Sequence, residues 1–207
     1  MNVKNIKKKL EGHPVLKKRL LNLMVHPVKA RPRRWMFLLR FLYIHRGRGC
    51  RIYGSVRKDV VPFNAIVVGM RSVVEQHCTL NNMCGDIVIG DGCHIGLYNT
   101  LIGPVRMGNG VITAQNITIS GLNHGFADVD IPIRLQNVET AEIVLQDDIW
   151  IGSNSVVLPG VTIGKHSIVG AGSVVTRSIP PFSVAVGNPA RVIKHYDFTE
   201  KKWIKSE

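Results

Sequence analysis

The sequence predicts an all-β chain wound as a parallel β-helix. Two observations carry that expectation: a six-residue repeat of aliphatic side chains, and two places where the repeat breaks. Large aliphatic residues recur at Leu145, Ile151, Val157, Ile163, Val169 and Val175, and four positions after each stands Ile149, Ser155, Val161, Ser167, Ser173 or Ile179. Glycine follows the aliphatic residue directly at Gly152, Gly164 and Gly170. An α-helix would smear this pattern around its axis, and an ordinary half-buried strand would repeat every two residues. Period six fits short flat strands, three to a coil and one hexapeptide to each face, with each strand about 4.8 Å from its equivalent in the next coil.

The same register extends upstream. Val56, Pro62, Val68, Val74 and Leu80 form one run of sixes; Ile89, Ile95, Leu101, Met107, Thr113 and Ile119 form another. The step from Leu80 to Ile89 is nine, so three residues should bulge out near Cys84 to Asp86. The step from Ile119 to Leu145 is twenty-six, which is no multiple of six. A loop spanning residues 120–144 must therefore leave the coil, and unstructured loops of that length are usually functional.

These breaks divide the chain into a basic helical segment, 1–50, a β-helix, 51–194, and a short C-terminal tail, 195–207. Hydrophobic residues make up 45% and aromatics 6% of the 207 residues, which suits a core of stacked Ile, Val and Leu. The net charge of +13 is unevenly placed: residues 1–51 hold fifteen Lys and Arg against one acid, Glu11. The repeat region is close to neutral. Four cysteines are too few and too irregular for a disulfide scaffold or a zinc site. Cys78, Cys84 and Cys93 fall at the small fifth slot of a hexapeptide, which accounts for them as packing residues in a reduced, cytoplasmic compartment. The lysine-studded start, Met1 to Glu11, has no unbroken apolar core of a cleavable signal. The longest apolar run, Trp35 to Ile44, is ten residues with Arg40 inside it, too short to span a bilayer.

In the basic segment Val3, Ile6, Leu10, Val15, Leu16, Leu20, Leu23 and Met24 are spaced as a helical face interrupted at Gly12-His13-Pro14, with lysines between them. Arg31, Arg33, Arg34, Arg46 and Arg48 then surround Trp35, Phe37, Phe41 and Tyr43. One reading is a cap over the open first coil, which some element must cover because an exposed strand edge pairs with other chains. A second adds peripheral contact with an anionic membrane at the inner leaflet. Nucleic acid is not an expected partner, since the cations follow no recognised nucleic-acid motif.

Chemistry is expected in the large break. It carries His124, which the packing of the repeat does not explain, and imidazole can take a proton from a hydroxyl that attacks a carbonyl. Ile119-Ser120-Gly121-Leu122-Asn123-His124-Gly125-Phe126, followed by Ile131-Pro132-Ile133, resembles the catalytic segment of the hexapeptide-repeat acyltransferases, nearest to bacterial O-acetyltransferases of sugars and surface polysaccharides. Trp150-Ile151-Gly152-Ser153, Leu158 to Gly164, Gly170 to Arg177, Ile179-Pro180-Pro181 and Val186 to Ile193 extend the resemblance over residues 52–194. It implies left-handed β-helices associated as a homotrimer, with acetyl-CoA as acyl donor and no metal. It also implies that His124 is the general base, with Ser153, Ala171, Thr176, Arg177 and Arg191 contacting CoA and Lys194 further along.

Acceptor contacts are less determined. Asn99 either faces the acceptor or ladders with neighbouring coils, and Phe126 is a candidate to stack on a sugar ring. Asp128, Asp130 and Glu142 are each candidates to orient His124. Trp150 either lines the groove or packs between coils. The expected activity is transfer of an acetyl group to a hydroxyl of a sugar or surface glycan. Serine or antibiotic acetylation and a non-catalytic scaffold are the alternatives. The zinc chemistry of a carbonic anhydrase of this fold needs three converging histidines, whereas His77, His94, His124 and His166 are scattered.

Overall fold

A computed structural model describes residues 13–26 and 31–206. The expected helical positions Val3, Ile6 and Leu10 and the lysines among them lie outside the described residues. Three parallel sheets stack into a left-handed solenoid of six coils. Sheet 1 holds strands Ile44–Arg46, Ile66–Val68, Ile87–Ile89, Val105–Met107, Ile143–Leu145 and Thr162–Ile163. Sheet 2 holds Arg51–Ile52, Val73–Val74, His94–Ile95, Ile112–Thr113, Trp150–Ile151 and Ile168–Val169. Sheet 3 holds Arg57–Asp59, Thr79–Asn81, Thr100–Ile102, Thr118–Ser120, Val156–Val157 and Val174–Val175.

The six-residue spacing works because one residue in each strand points inward. Val74, Leu80, Ile95, Leu101, Ile151, Val157, Ile163, Val169 and Val175 are fully buried, and each pairs with its equivalent in a neighbouring coil (Leu80 with Leu101, Ile151 with Val169). Burial of each such side chain stabilises by about 1.5–3 kcal/mol. The corners require a left-handed backbone, which one column supplies through His77, Tyr98, Asn116, Asn154 and Gly172 at positive φ. The fifth slot also faces inward. Cys78, Asn99, Ile117, Ser155 and Ser173 form one buried column there. The Cys78 thiol donates to the Gly96 carbonyl at 2.9 Å and Cys93 to Gly108 at 3.1 Å, and burial pushes both thiols up, as it does the half-buried Cys84.

Two expectations need correction upstream. The coil begins at Ile44 rather than 51, since Ile44–Arg46 already pairs with Ile66–Val68. The run through Val56 and Pro62 is also out of register: Ile52 lies beneath Val74 and Lys58 beneath Leu80. Lys58 takes an aliphatic position in the ladder and its ammonium donates to the Val56 carbonyl at 2.8 Å. The corner that follows is longer than a hexapeptide allows, and Val60 and Val61 fill it. The nine-residue step is its counterpart. Asn82, fully buried, accepts from the Val61 amide at 2.8 Å and donates to the carbonyls of Val61 at 3.1 Å and Asn64 at 2.6 Å, clamping the long corner to the bulge above it.

Both ends are covered. At the start, helix α1 (Pro14–Met24) opens at the proline that breaks the pattern, where a missing N–H costs nothing. A 3-10 helix, Arg34–Leu42, then lays Met36 on the core beside Tyr43, whose hydroxyl donates to the Met36 carbonyl. At the far end Ser183–Gly187 continues sheet 2 in parallel. Ala190–Asp197 then turns back antiparallel to it, and Lys202–Lys205 reverses once more to form the outer edge of the sheet. The tail expected from residue 195 is therefore part of this hairpin. Among the described residues, no helix is long and apolar enough to cross a membrane.

Candidate functional site

The twenty-six-residue step is an arm rather than an unstructured loop. It leaves sheet 3 after Ser120 and returns into sheet 1 at Ile143. Leu122–His124 pairs antiparallel with Val138–Thr140, which sets His124 opposite Val138. Two glycines in the motif answer to close contacts. A Cβ on Gly121 would lie 2.6 Å from the Pro104 carbonyl oxygen, and one on Gly125 would lie 2.5 Å from that of Asn137. The Gly125 amide donates to the same Asn137 oxygen at 3.0 Å. At the root, Arg106 pairs with Glu142 at 3.2 Å. At the tip, Gln136 donates to the carbonyls of Asp128 at 2.7 Å and Ile131 at 2.8 Å and accepts from the Asp128 amide at 3.2 Å.

His124 is exposed, and among the described residues its ring has no hydrogen-bond or ion-pair partner. None of the three carboxylates considered as its orienting group takes that role within the chain: Glu142 faces Arg106, and Asp128 accepts from the Asp130 amide at 2.9 Å. Phe126 is 75% exposed beside it.

The residues expected at CoA fall on the two edges of sheet 3. Ser153 and Ala171 stand one above the other at the corner between sheets 2 and 3, where the Gly172 amide donates to the Ser153 carbonyl at 2.8 Å. A Cβ on Gly152 would lie 2.5 Å from the Ala171 nitrogen, so only glycine admits that approach. Arg191 lies beyond them on the reversed strand, opposite Val186, whose side chain covers Gly170. Thr176 and Arg177 occupy the other edge, at the corner between sheets 3 and 1, from which the His124 arm also departs two coils earlier. Ala171, Thr176, Arg177 and Arg191 are exposed. Within one chain the set thus divides: His124, Thr176 and Arg177 share a corner, and Ser153, Ala171 and Arg191 line the next.

Asn99 does not face either edge. It is buried, donates to Thr113 Oγ1 at 2.8 Å and the Ala114 carbonyl at 2.9 Å, and accepts from the Ile117 amide at 2.6 Å. Its side chain is consumed within the ladder, the second of the two alternatives. Its neighbour Tyr98 is the exposed one, stacked on His77 with ring centroids 5.1 Å apart, at the corner that also carries Ser153 and Ala171 two and three coils on. Gln115, which accepts from the Ser153 hydroxyl at 3.0 Å, lies directly below Ser153 at the same corner. The outward fourth slot was the signal for Tyr98. Trp150 lies half-exposed on the outer face of sheet 2 between Ile112 and Ile168. Among the described residues, no group of three His, Cys, Asp or Glu could hold a metal ion.

With this geometry in view, comparison with known proteins places the chain. Residues 142–177 match the bacterial transferase hexapeptide (six repeats) family, and the chain is a hexapeptide-repeat β-helix protein. It is 40% identical over 110 residues to galactoside O-acetyltransferase of Escherichia coli, covering 47% of this chain and 51% of that protein. An N-acyltransferase of Bacillus cereus, solved with dTDP-4-amino-4,6-dideoxyglucose and coenzyme A, shares the fold at a TM-score of 0.65 and 24% identity, over 81% of this chain and 92% of that one. A maltose O-acetyltransferase of Clostridium difficile 630 matches at a TM-score of 0.54 and 24% identity, over 87% and 84%. The chain spans about half the length of the curated relatives it matches.

Proposed function

We propose that the chain is an acetyl-CoA-dependent O-acetyltransferase acting on a hydroxyl of a sugar or surface glycan, as a homotrimer with His124 as general base. The observation that carries this reading is the position of His124. It is held on a braced hairpin, exposed, with its ring uncommitted, at the same corner as Thr176 and Arg177. The galactoside acetyltransferase relative supports a sugar hydroxyl as acceptor, and the coenzyme A held by the Bacillus cereus protein supports the donor.

The residues present suit that donor. Ser153 and Ala171 are small and leave corner backbone accessible to a pantetheine arm. Arg177 and Arg191 are exposed cations able to grip phosphate through several N–H donors. Chemically, a ring nitrogen of His124 takes the proton of the acceptor hydroxyl as the acceptor oxygen bonds to the acyl carbon. The carbon–sulfur bond then breaks, and the imidazolium returns its proton to the departing sulfur. Deprotonation at the moment of attack contributes typically about 10²–10⁴-fold to such reactions. Division of the site between two corners is the reason for the trimer: a neighbouring copy would bring the second corner to the arm.

A thiol-release assay with acetyl-CoA tests this across galactosides, oligosaccharides, serine and aminoglycosides. Sugar-dependent release is expected. Release with serine or an aminoglycoside alone would overturn the acceptor assignment, and no release with any hydroxyl would overturn the activity.

A further inference from the structure

The N-terminal cap shows two faces to solvent that capping does not require. A 3-10 helix has three residues per turn, so side chains three apart eclipse and Arg34–Leu42 divides cleanly into three stripes. Met36 and Leu39 of the first face the core, and Leu42 at its end is exposed. Trp35, Leu38 and Phe41 form the second stripe, 41%, 77% and 68% exposed. Arg34, Phe37 and Arg40 form the third, with the Arg40 guanidinium 4.6 Å above the Phe37 ring. The helix is fixed in this orientation: Trp35 donates to the Leu23 carbonyl at 3.3 Å and Arg33 to that of Asn22 at 3.2 Å. Val15, Leu16 and Leu23 of α1 are exposed as well.

Beside the cationic stripe lies a groove of roughly 430 Å³, lined by Pro32, Arg33, Arg34, Phe37, Lys58 and Val60. Its floor is the misfit of the first coil, Lys58. Burial pushes the Lys58 ammonium down, and Arg46 and Arg40 push it further. Among the described residues no carboxylate pairs with Arg34, Arg40, Arg46 or Lys58; the acid of this coil, Asp59, is paired with Arg57. Cations gathered around an apolar groove, next to an exposed aromatic stripe, match a surface that is anionic on the outside and apolar beneath.

We infer that the 3-10 helix Arg34–Leu42 docks on an anionic phospholipid bilayer, with Trp35, Leu38 and Phe41 in the headgroup layer and a lipid phosphate in the groove of Arg33, Arg34 and Lys58. Charge complementarity selects this occupant. Residues 1–51 hold fifteen cations against one acid, and each cation near an anionic leaflet strengthens binding. The aromatic stripe supplies the apolar part that electrostatics alone leaves weak.

Co-sedimentation of the full chain with vesicles of phosphatidylcholine, with and without phosphatidylglycerol, tests the inference. Pelleting is expected with the anionic vesicles, falling at high salt. Arg34→Ala with Arg40→Ala should lower partitioning roughly five-fold per charge removed. Leu38→Ser with Phe41→Ser should lower it roughly ten-fold or more, and these exposed sites leave the core intact. Brominated lipid should quench tryptophan fluorescence in the wild type and lose most of that effect in Trp35→Phe, a readout that does not rely on the other variants. Equal pelleting with neutral vesicles, or quenching unchanged by Trp35→Phe, would overturn the inference. So would a Leu38→Ser effect confined to oligomeric state in sedimentation velocity, which would make the stripe a contact between copies. None of these measurements involves His124, so the inference stands or falls apart from the acetyltransferase reading.

Discussion

In the coils, Leu80, Ile95, Leu101 and Ile151 leave no surface to water, and even the polar residues between them, Asn82, Asn99 and Ser155, are enclosed. In the arm between Gly121 and Glu142, Val129 is 93% exposed and Phe126 75%, and Ile133 and Leu135 stand in solvent with them. The coils are held by burial. The arm is held by backbone pairing, one ion pair at its root and one glutamine at its tip. An apolar element that its own chain leaves uncovered is shaped for something outside the chain, which in the proposed trimer is a neighbouring copy.

Substitutions can break that comparison at either side. The largest effect is expected in the arm: His124→Ala should lower turnover about 10²–10⁴-fold in a thiol-release assay, with the thermal midpoint little changed because the side chain is exposed and makes no hydrogen bond. Leu101→Ala should do the reverse, costing about 2–5 kcal/mol in denaturant unfolding. Phe126→Ala should stay within about 0.5 kcal/mol for the isolated chain. A larger, concentration-dependent loss there would show that association buries the ring. Asn99→Leu should cost about 1–3 kcal/mol by leaving the Ile117 amide unpaired. If Asn99 instead served the acceptor, KM would rise with stability intact. A small and local effect is expected for Gln136→Ala, about 1 kcal/mol for hydrogen bonds at the tip, read as faster amide exchange at Asp128 and Asp130 with no change in the coils.

The same contrast explains what could be read from the residues alone. From Ile89 to Ile119 and from Leu145 to Val175 the first position of every hexapeptide is buried and, Thr113 apart, apolar, and the spacing is unbroken, so register, strand positions and the extruded arm all follow. Register failed where a polar residue took an inward position: Lys58 hides the true ladder, and Val56 and Pro62 offer a false one at the right spacing. Asn99 was open to two readings although it shares its slot with Cys78, Ser155 and Ser173. The slot, rather than the side chain's polarity, decides which way it faces. His124 could be singled out as a candidate because it stands outside the repeat. The partition of the other candidates between two corners was not, because one corner brings together Tyr98, Gln115, Ser153 and Ala171 across unequal separations in sequence.

The reversed strand at the far end has a further consequence. A solenoid finishes each coil with the same parallel edge on which the next is laid, so nothing in the repeat itself says when to stop. On sheet 2 Ala190–Asp197 and Lys202–Lys205 occupy that edge, and the outermost strand they leave, Lys202–Lys205, is four residues long with an exposed lysine at each end, a short charged edge that is a poor template for another coil. The hairpin acts as a terminator, and the separation of one molecule from a growing fibre depends on about a dozen residues that belong to no coil.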